Sequence, residues 1–237
     1  MKRIELYDDG IGAVEYVEHM GTDLTIVNSA RVSFGKTKKE LDGKDKKLIR
    51  YLIKHKHTST FEHNVITFRF IVPLFVRSQH HRHRTWSYNE ISRRYTDVDI
   101  RFYEPKDFRT QHKSNRQASN LNNKIDPVLI PDLSDTDYGL TASYCVAQHH
   151  QLSLRLYNDL MKNGVCREQA RGVLPQNLYS EYYGTVNLNN LLKFIELRIH
   201  EGAQWEIQQL ARACLQIAGD VWPETLAAYR ENRKLDV

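Results

Sequence analysis

Val65-Ile66-Thr67-Phe68-Arg69-Phe70-Ile71-Val72 runs straight into Pro73 and then into Leu74-Phe75-Val76-Arg77-Ser78-Gln79-His80-His81-Arg82-His83. Every residue of the first run except Arg69 is β-branched or aromatic, which suits a pleated, packed surface and predicts a strand. Pro73 has no N–H to give a sheet ladder, so it ends the strand. Its fixed φ is compatible with a first helical turn, so Leu74 to His83 is predicted as a short helix. A strand handed directly to a helix, with other helical patterns on both sides, points to mixed rather than all-α or all-β architecture.

Toward the N-terminus, Lys44 to His55 places Leu48, Ile49, Leu52 and Ile53 on one helical face and lysines on the other, a solvated surface. Residues 22 to 32 keep the same rhythm through Leu24, Val27 and Val32, with Asp23 as an early acid. Ile4 to Leu6 and Ala13 to Val17 read as short strands around a Gly10-Ile11-Gly12 turn. Toward the C-terminus, residues 84 to 100 are too polar and irregular for core and read as a long loop. Residues 109 to 135, rich in Asn, Gln, Ser and Asp, read as an exposed excursion. Tyr138 to Lys162 is a long helical pattern with Gly164 as its stop, and Glu168 to Val173 is a short helix closed by Leu174-Pro175. Tyr179 to Val186 is a second strand. Asn189 to His200 and Ala203 to Ala218 are amphipathic, and Pro223 opens a last helix. With no internal repeat, the expectation is an α+β fold: one helix-rich domain over residues 1 to 237 with a small, mostly antiparallel sheet.

Hydrophobic residues make up 41% and charged residues 27% of the 237, a globular balance that excludes a disordered chain. A net charge of +5 favours anionic partners without separating nucleic acid from nucleotides or phosphorylated cofactors. Arg and His crowd into residues 77 to 94. Cys145, Cys166 and Cys214 are odd in number and far apart, which argues against a disulfide framework and fits a reducing cytosol; each reads as a small buried apolar side chain. The first residues hold no apolar run of a signal peptide, and no stretch approaches the ~20 apolar residues of a membrane span. A cytoplasmic protein without a membrane partner is expected.

The densest chemistry lies in Arg82-His83-Arg84-Thr85-Trp86-Ser87-Tyr88-Asn89-Glu90-Ile91-Ser92-Arg93-Arg94-Tyr95. Guanidinium groups recognise phosphate with two parallel donors and stay charged, and Ser hydroxyls can complete the cradle. One carboxylate, Glu90, suits the base or sugar of a nucleotide. A solvated basic loop, or a groove for single-stranded nucleic acid, would show the same charges. His55, His57, Glu62 and His63 invite a metal, but neither they nor His80, His81 and His83 have zinc spacing, and no metal is expected. Arg171 and Arg198 each sit in apolar helical surroundings. The phosphate loop, the dinucleotide fingerprint and the nucleophile elbow are all absent.

Arg82 to Tyr95 matches R-H-R-x-x-S-x-N-E-x-S-x-R-Y, and through it the chain resembles the flavin-dependent thymidylate synthases, the ThyX family. The likeness extends to Ala30-Arg31-Val32-Ser33-Phe34, to His57 through Phe61-Glu62-His63, to Arg171 through Leu174-Pro175 and Tyr179, and to Ala203-Gln204-Trp205-Glu206-Ile207-Gln208. It departs at Gly202, where a His is frequent, and at Lys193, where an Asn is frequent.

The resemblance implies a homotetramer whose active sites are shared between subunits. It implies reductive methylation of dUMP to dTMP, with methylenetetrahydrofolate as carbon donor, FAD as hydride carrier and NADPH as reductant. Ser59, Arg82, His83, Arg84, Glu90, Asn187, Asn189 and Lys193 would then face FAD. Gln79, Arg82, Glu90, Ile91, Ser92, Arg93, Arg94, Arg171 and Arg198 would hold dUMP, and His57 would lie on the folate side. Arg198 is the expected catalytic residue, because a cation beside the uracil ring favours its N3-deprotonated form. No Cys and no activated Ser92 is expected as nucleophile. On this resemblance nucleic acid is not a partner.

Overall fold

The computed structural model describes residues 2–131 and 139–235. Tyr7, Asp8 and Gly10 take φ of 66°, 54° and 69°. The Asp9 carboxylate accepts the N–H groups of Ile11 and Gly12, both at 2.9 Å. This reversal joins β1 (Arg3–Glu5) to β2 (Ala13–Met20). There follow α1 (Asp23–Arg31), α2 (Gly43–Lys54), β3 (Val65–Pro73), α3 (Leu74–His80) and β4 (Ser87–Glu90). The middle of the chain holds β5 (Phe108–Gln111), β6 (Ser119–Ile125), β7 (Val128–Pro131), β8 (Gly139–Thr141), α4 (Ala142–Lys162) and α5 (Arg167–Ala170). β9 (Tyr179–Asn187), α6 (Leu188–Ile199), α7 (Trp205–Val221) and α8 (Pro223–Arg233) complete an α+β fold. A five-stranded sheet has the order β1-β2-β3-β9-β4, and two further sheets have two strands each.

The chain gathers into two compact units. One comprises Met1–Ile71, Gln79–Asn89 and Tyr182–Val237, the other Val72–Ser78 and Glu90–Glu181. In the first, β1 runs antiparallel to β2 and β2 antiparallel to β3, with a register shift between Tyr16 and Glu18. Ile66, Phe68 and Phe70 alternate into the interior as their spacing requires. α7 buries Ile207, Leu210, Cys214, Leu215 and Ile217, and packs against β2, α6 and α8. Asp23 is buried, and its carboxylate accepts the N–H groups of Glu224 and Thr225, each at 3.0 Å. The acid read as belonging to α1 therefore caps α8, whose first residue is Pro223.

In the second unit, Thr141 caps α4, which packs on β7, β8 and α5 and buries His150, Ser153 and Tyr157. β5 pairs antiparallel with β6, and β7 with β8.

Five expectations change, the first being that the helix read up to Lys162 begins only at Ala142, because Gly139–Thr141 is β8. Residues 84 to 100 are not all loop, because Ser87–Glu90 is a strand at the end of the five-stranded order. Residues 109 to 131 carry strands β5 to β7, although most of this stretch is exposed as expected; residues 132 to 135 lie outside the described residues. The Leu74 helix stops at His80 rather than at His83. Cys166 is exposed and Cys145 half-buried, so only Cys214 is the interior thiol expected of all three.

Candidate active site

In the first unit the end of α3 and the turn after it meet α6. Arg198, in the last turn of α6, donates from Nε to His83 Nε2 at 3.0 Å and from Nη2 to the Gln79 carbonyl at 3.3 Å. An acceptor Nε2 requires a neutral ring with its proton on Nδ1. Burial and the Arg198 charge together lower the His83 pKa to about 4. Gln79 Nε2 donates to Gln204 Oε1 at 2.5 Å, and Gln204 in turn donates to Glu206 at 2.9 Å. Gln79, His83 and Arg198 thus form one connected group, with Gln204 behind it.

The ground beneath this group is aromatic. His80 is fully buried; its Nδ1 meets the Tyr182 hydroxyl at 2.8 Å, and Phe70, Trp86 and Phe194 enclose its ring. Burial drives its pKa well below the ordinary histidine value, so it too is neutral. Tyr88 donates to the carbonyls of His80 at 3.0 Å and of His83 at 3.3 Å, tying down the backbone turn that aims His83. Arg82 and Arg84 project from that turn, exposed and without carboxylate partners among the described residues.

The other residues expected to face FAD take different positions in this unit. Asn187 caps α6 by accepting the Asn190 N–H at 2.9 Å. Asn189 is buried and donates to Glu62 at 2.7 Å. Asn189 and Lys193 line a cavity of about 230 Å³ with Lys56, Thr58, Phe61 and Arg233; Ser59 and His57 are not in its wall. Both are exposed, His57 with its ring 5.7 Å from that of Tyr51.

In the second unit, Glu90, Ile91, Ser92, Arg93 and Arg171 line a single cavity of about 430 Å³. Arg77 and Ser180 line it too, and neither was singled out from sequence. Arg77 grips Glu90 with two donors, Nε to Oε1 at 2.9 Å and Nη2 to Oε2 at 2.7 Å, and the Ser180 hydroxyl also donates to Oε1. Arg93 is buried, and its guanidinium donates to the carbonyls of Val98 at 2.6 Å and Asp99 at 3.3 Å, so it closes the loop from inside. Arg94 does not line the cavity; it is half-exposed, 3.7 Å from Glu168. Arg171 is exposed at the rim and has no carboxylate partner among the described residues. An open guanidinium, hydroxyls and one neutralised carboxylate around a cavity of this size make a site for a small anionic ligand with polar edges.

The family described as thymidylate synthase complementing protein, Thy1, matches residues 15–224. A flavin-dependent thymidylate synthase of Thermus thermophilus is 42% identical over 93% of this chain and 76% of its own length. One from Thermotoga neapolitana is 40% identical over 92% of this chain and 90% of its own. Among solved structures, a UMP/dUMP methylase, PolB, from Streptomyces cacaoi bound with 5-Br UMP superposes with a TM-score of 0.77 at 30% identity, covering 97% of each chain. The chain belongs to the family of flavin-dependent thymidylate synthases.

Proposed function

We propose that the protein methylates dUMP to dTMP as a flavin-dependent thymidylate synthase. The observation that carries this reading is the 430 Å³ cavity, where Arg171, Ser92 and the Arg77-neutralised Glu90 present what a uridine monophosphate needs. Arg171 and Ser92 take the phosphate, with Arg94 at its approach, and Glu90 accepts from the nucleoside. Ile91 and Arg93 complete the cavity, Arg93 by holding the loop in shape, while Gln79 and Arg82 are assigned to dUMP from the family likeness and not from this cavity.

FAD is the cofactor we assign, and the donor set fits it. Arg82, Arg84 and Lys193 are exposed cations without carboxylate partners among the described residues, matched to a diphosphate. Asn189 and Lys193 share a cavity whose Leu52, Ile53, Phe61 and Leu192 offer apolar surface to a ring. Ser59, Asn187 and His83 would supply further polar edges, and Glu90 is assigned to FAD from the family likeness alone. Held there, FAD would supply the hydride of the reductive methylation; methylenetetrahydrofolate would be the carbon donor, with His57 on its side, and NADPH the reductant.

Arg198 is the catalytic cation. Its guanidinium, held by neutral His83 and by the Gln79 carbonyl, stabilises negative charge on the uracil ring and so makes C5 a better nucleophile. Burial lowers the Arg198 pKa below its ordinary value, yet a guanidinium keeps its charge at any working pH. Cys214 is fully buried with its thiol pKa driven up, which leaves it protonated and unsuited to attack.

We assign a homotetramer with shared sites, in keeping with the family, and a cytoplasmic location; no helix among the described residues is long and apolar enough to cross a membrane. The test is direct. The purified protein should show a flavin spectrum, and dTMP should form only when dUMP, methylenetetrahydrofolate and NADPH are all present. A colourless protein that neither takes up FAD nor makes dTMP overturns the assignment.

A further inference from the structure

We infer that Arg77 is a positioning residue for the nucleotide, one that acts through Glu90 by cancelling its charge and fixing its plane. The inference rests on the dUMP reading of the 430 Å³ cavity and extends it to a residue outside the Arg82-to-Tyr95 motif. Glu90 and Arg77 face the same cavity as Ser92 and Arg171. A rounded space of that volume is no more than about one Debye length across, roughly 10 Å at 0.1 M salt, so salt does little to hide a carboxylate in it from a phosphate. An uncompensated Glu90 would therefore oppose the ligand that Arg171 attracts.

The structure resolves that conflict by geometry. Both carboxylate oxygens of Glu90 are occupied by Arg77, through Nε and Nη2, and Oε1 also accepts from Ser180. Two parallel donors fix the plane of the carboxylate as well as its charge, which one ammonium could not do. Arg77 lies on α3 in the Val72–Ser78 segment, and Ser180 lies on β9. Glu90 is thus clamped between elements of regular structure while its remaining lone pairs stay available to a nucleoside hydroxyl or N–H.

The experiment measures dUMP and deoxyuridine binding by titration calorimetry for the holoenzyme and for R77M, R77K, E90Q and the R77M/E90Q pair. R77M should weaken dUMP at least tenfold and deoxyuridine, which lacks the phosphate and feels only the freed carboxylate plane, several-fold less. R77K should fall between, because it restores charge without the second donor. R77M/E90Q should recover most of the lost dUMP affinity, since Gln keeps a carbonyl acceptor without the negative charge. In turnover, R77M should raise the KM for dUMP more than it lowers kcat. An unchanged dUMP affinity in R77M, or an equal loss for dUMP and deoxyuridine, removes the role of Arg77 while leaving the substrate assignment intact. Failure of the unmodified holoenzyme to bind dUMP removes both. Should R77M not fold, R77K and the E90Q background carry the same comparison, and equal dUMP affinity in E90Q and R77K/E90Q together with a loss in R77K alone is the supporting result; no loss in R77K overturns it.

Discussion

Arg198 Nε and His83 Nε2 lie 3.0 Å apart with the guanidinium donating, and this one contact fixes the charge of the imidazole. A protonated His83 would set an N–H against an N–H, so the pair exists only with a neutral imidazole.

A pH dependence of stability follows. The His83 pKa is lowered from 6.5 to about 4, so between those values the unfolded chain binds a proton that the folded chain refuses. Stability is full above pH 6.5, falls as pH drops toward 4, and loses nothing more from this group below that. One pKa unit corresponds to roughly 1.4 kcal/mol, and discounting for a ring only half-buried leaves about 1–2 kcal/mol. His80, also lowered by burial, adds a loss of the same sign. Thermal melting from pH 7.5 to 4.5 should show this decline, and His83→Gln, which retains an acceptor, should reduce it by the His83 share and leave that of His80.

Arg198→Ala should cut dTMP formation by about a hundredfold or more, the usual loss when one transition-state donor is removed. NADPH oxidation by the flavin should persist, because hydride entry does not require an activated uracil. Parallel assays of NADPH consumption and dTMP separate the two. Loss of both in equal measure would place Arg198 in flavin binding rather than in activation.

What the sequence revealed and what it hid differ for physical reasons. α2 and β3 were legible because one face, or both, is buried, and burial writes periodicity into Ile49 and Leu52 or into Ile66, Phe68 and Phe70. β4 was not. Ser87-Tyr88-Asn89-Glu90 lies at the end of the sheet order, with Ser87 and Asn89 exposed, and is a strand because of its neighbour, not its composition. β5 and β6 escaped for a like reason: an exposed hairpin is held by backbone bonds that polar residues make as well as apolar ones. The motif placed Glu90 to Arg93 together, and the cavity brings them together with Arg171. Arg77 carried no local signal, since its partner lies thirteen positions on and helical spacing says nothing about it.

Two arginines of the cavity should separate cleanly. Arg171→Ala removes an open guanidinium and should weaken dUMP about tenfold or more, as expected for a charged hydrogen bond worth roughly 1.5–3 kcal/mol. Its melting temperature should stay within a degree or two. Arg93→Ala instead orphans the Val98 and Asp99 carbonyls and should cost about 1–3 kcal/mol of stability. At roughly 2–4 °C per kcal/mol for a chain of this size, a melting curve resolves that loss.

Gly184 on β9 sits where the sheet meets the aromatic cluster under Arg198. A Cβ there would lie 2.8 Å from Phe70 Cε2 and 3.2 Å from Trp86 Cε3, closer than carbon atoms pack. Both rings are buried and touch His80, so neither can swing aside without disturbing the turn that aims His83. Gly184→Ala should therefore cost about 1–3 kcal/mol, the usual penalty for overpacking a filled core. It should also lower the dTMP rate at temperatures where the protein remains folded, because the displacement passes through His80 to the backbone that Tyr88 tethers. Melting and turnover measured on the same preparation decide the matter: a lowered melting point with unchanged turnover would mean that the cluster stabilises the unit without setting the aim of His83.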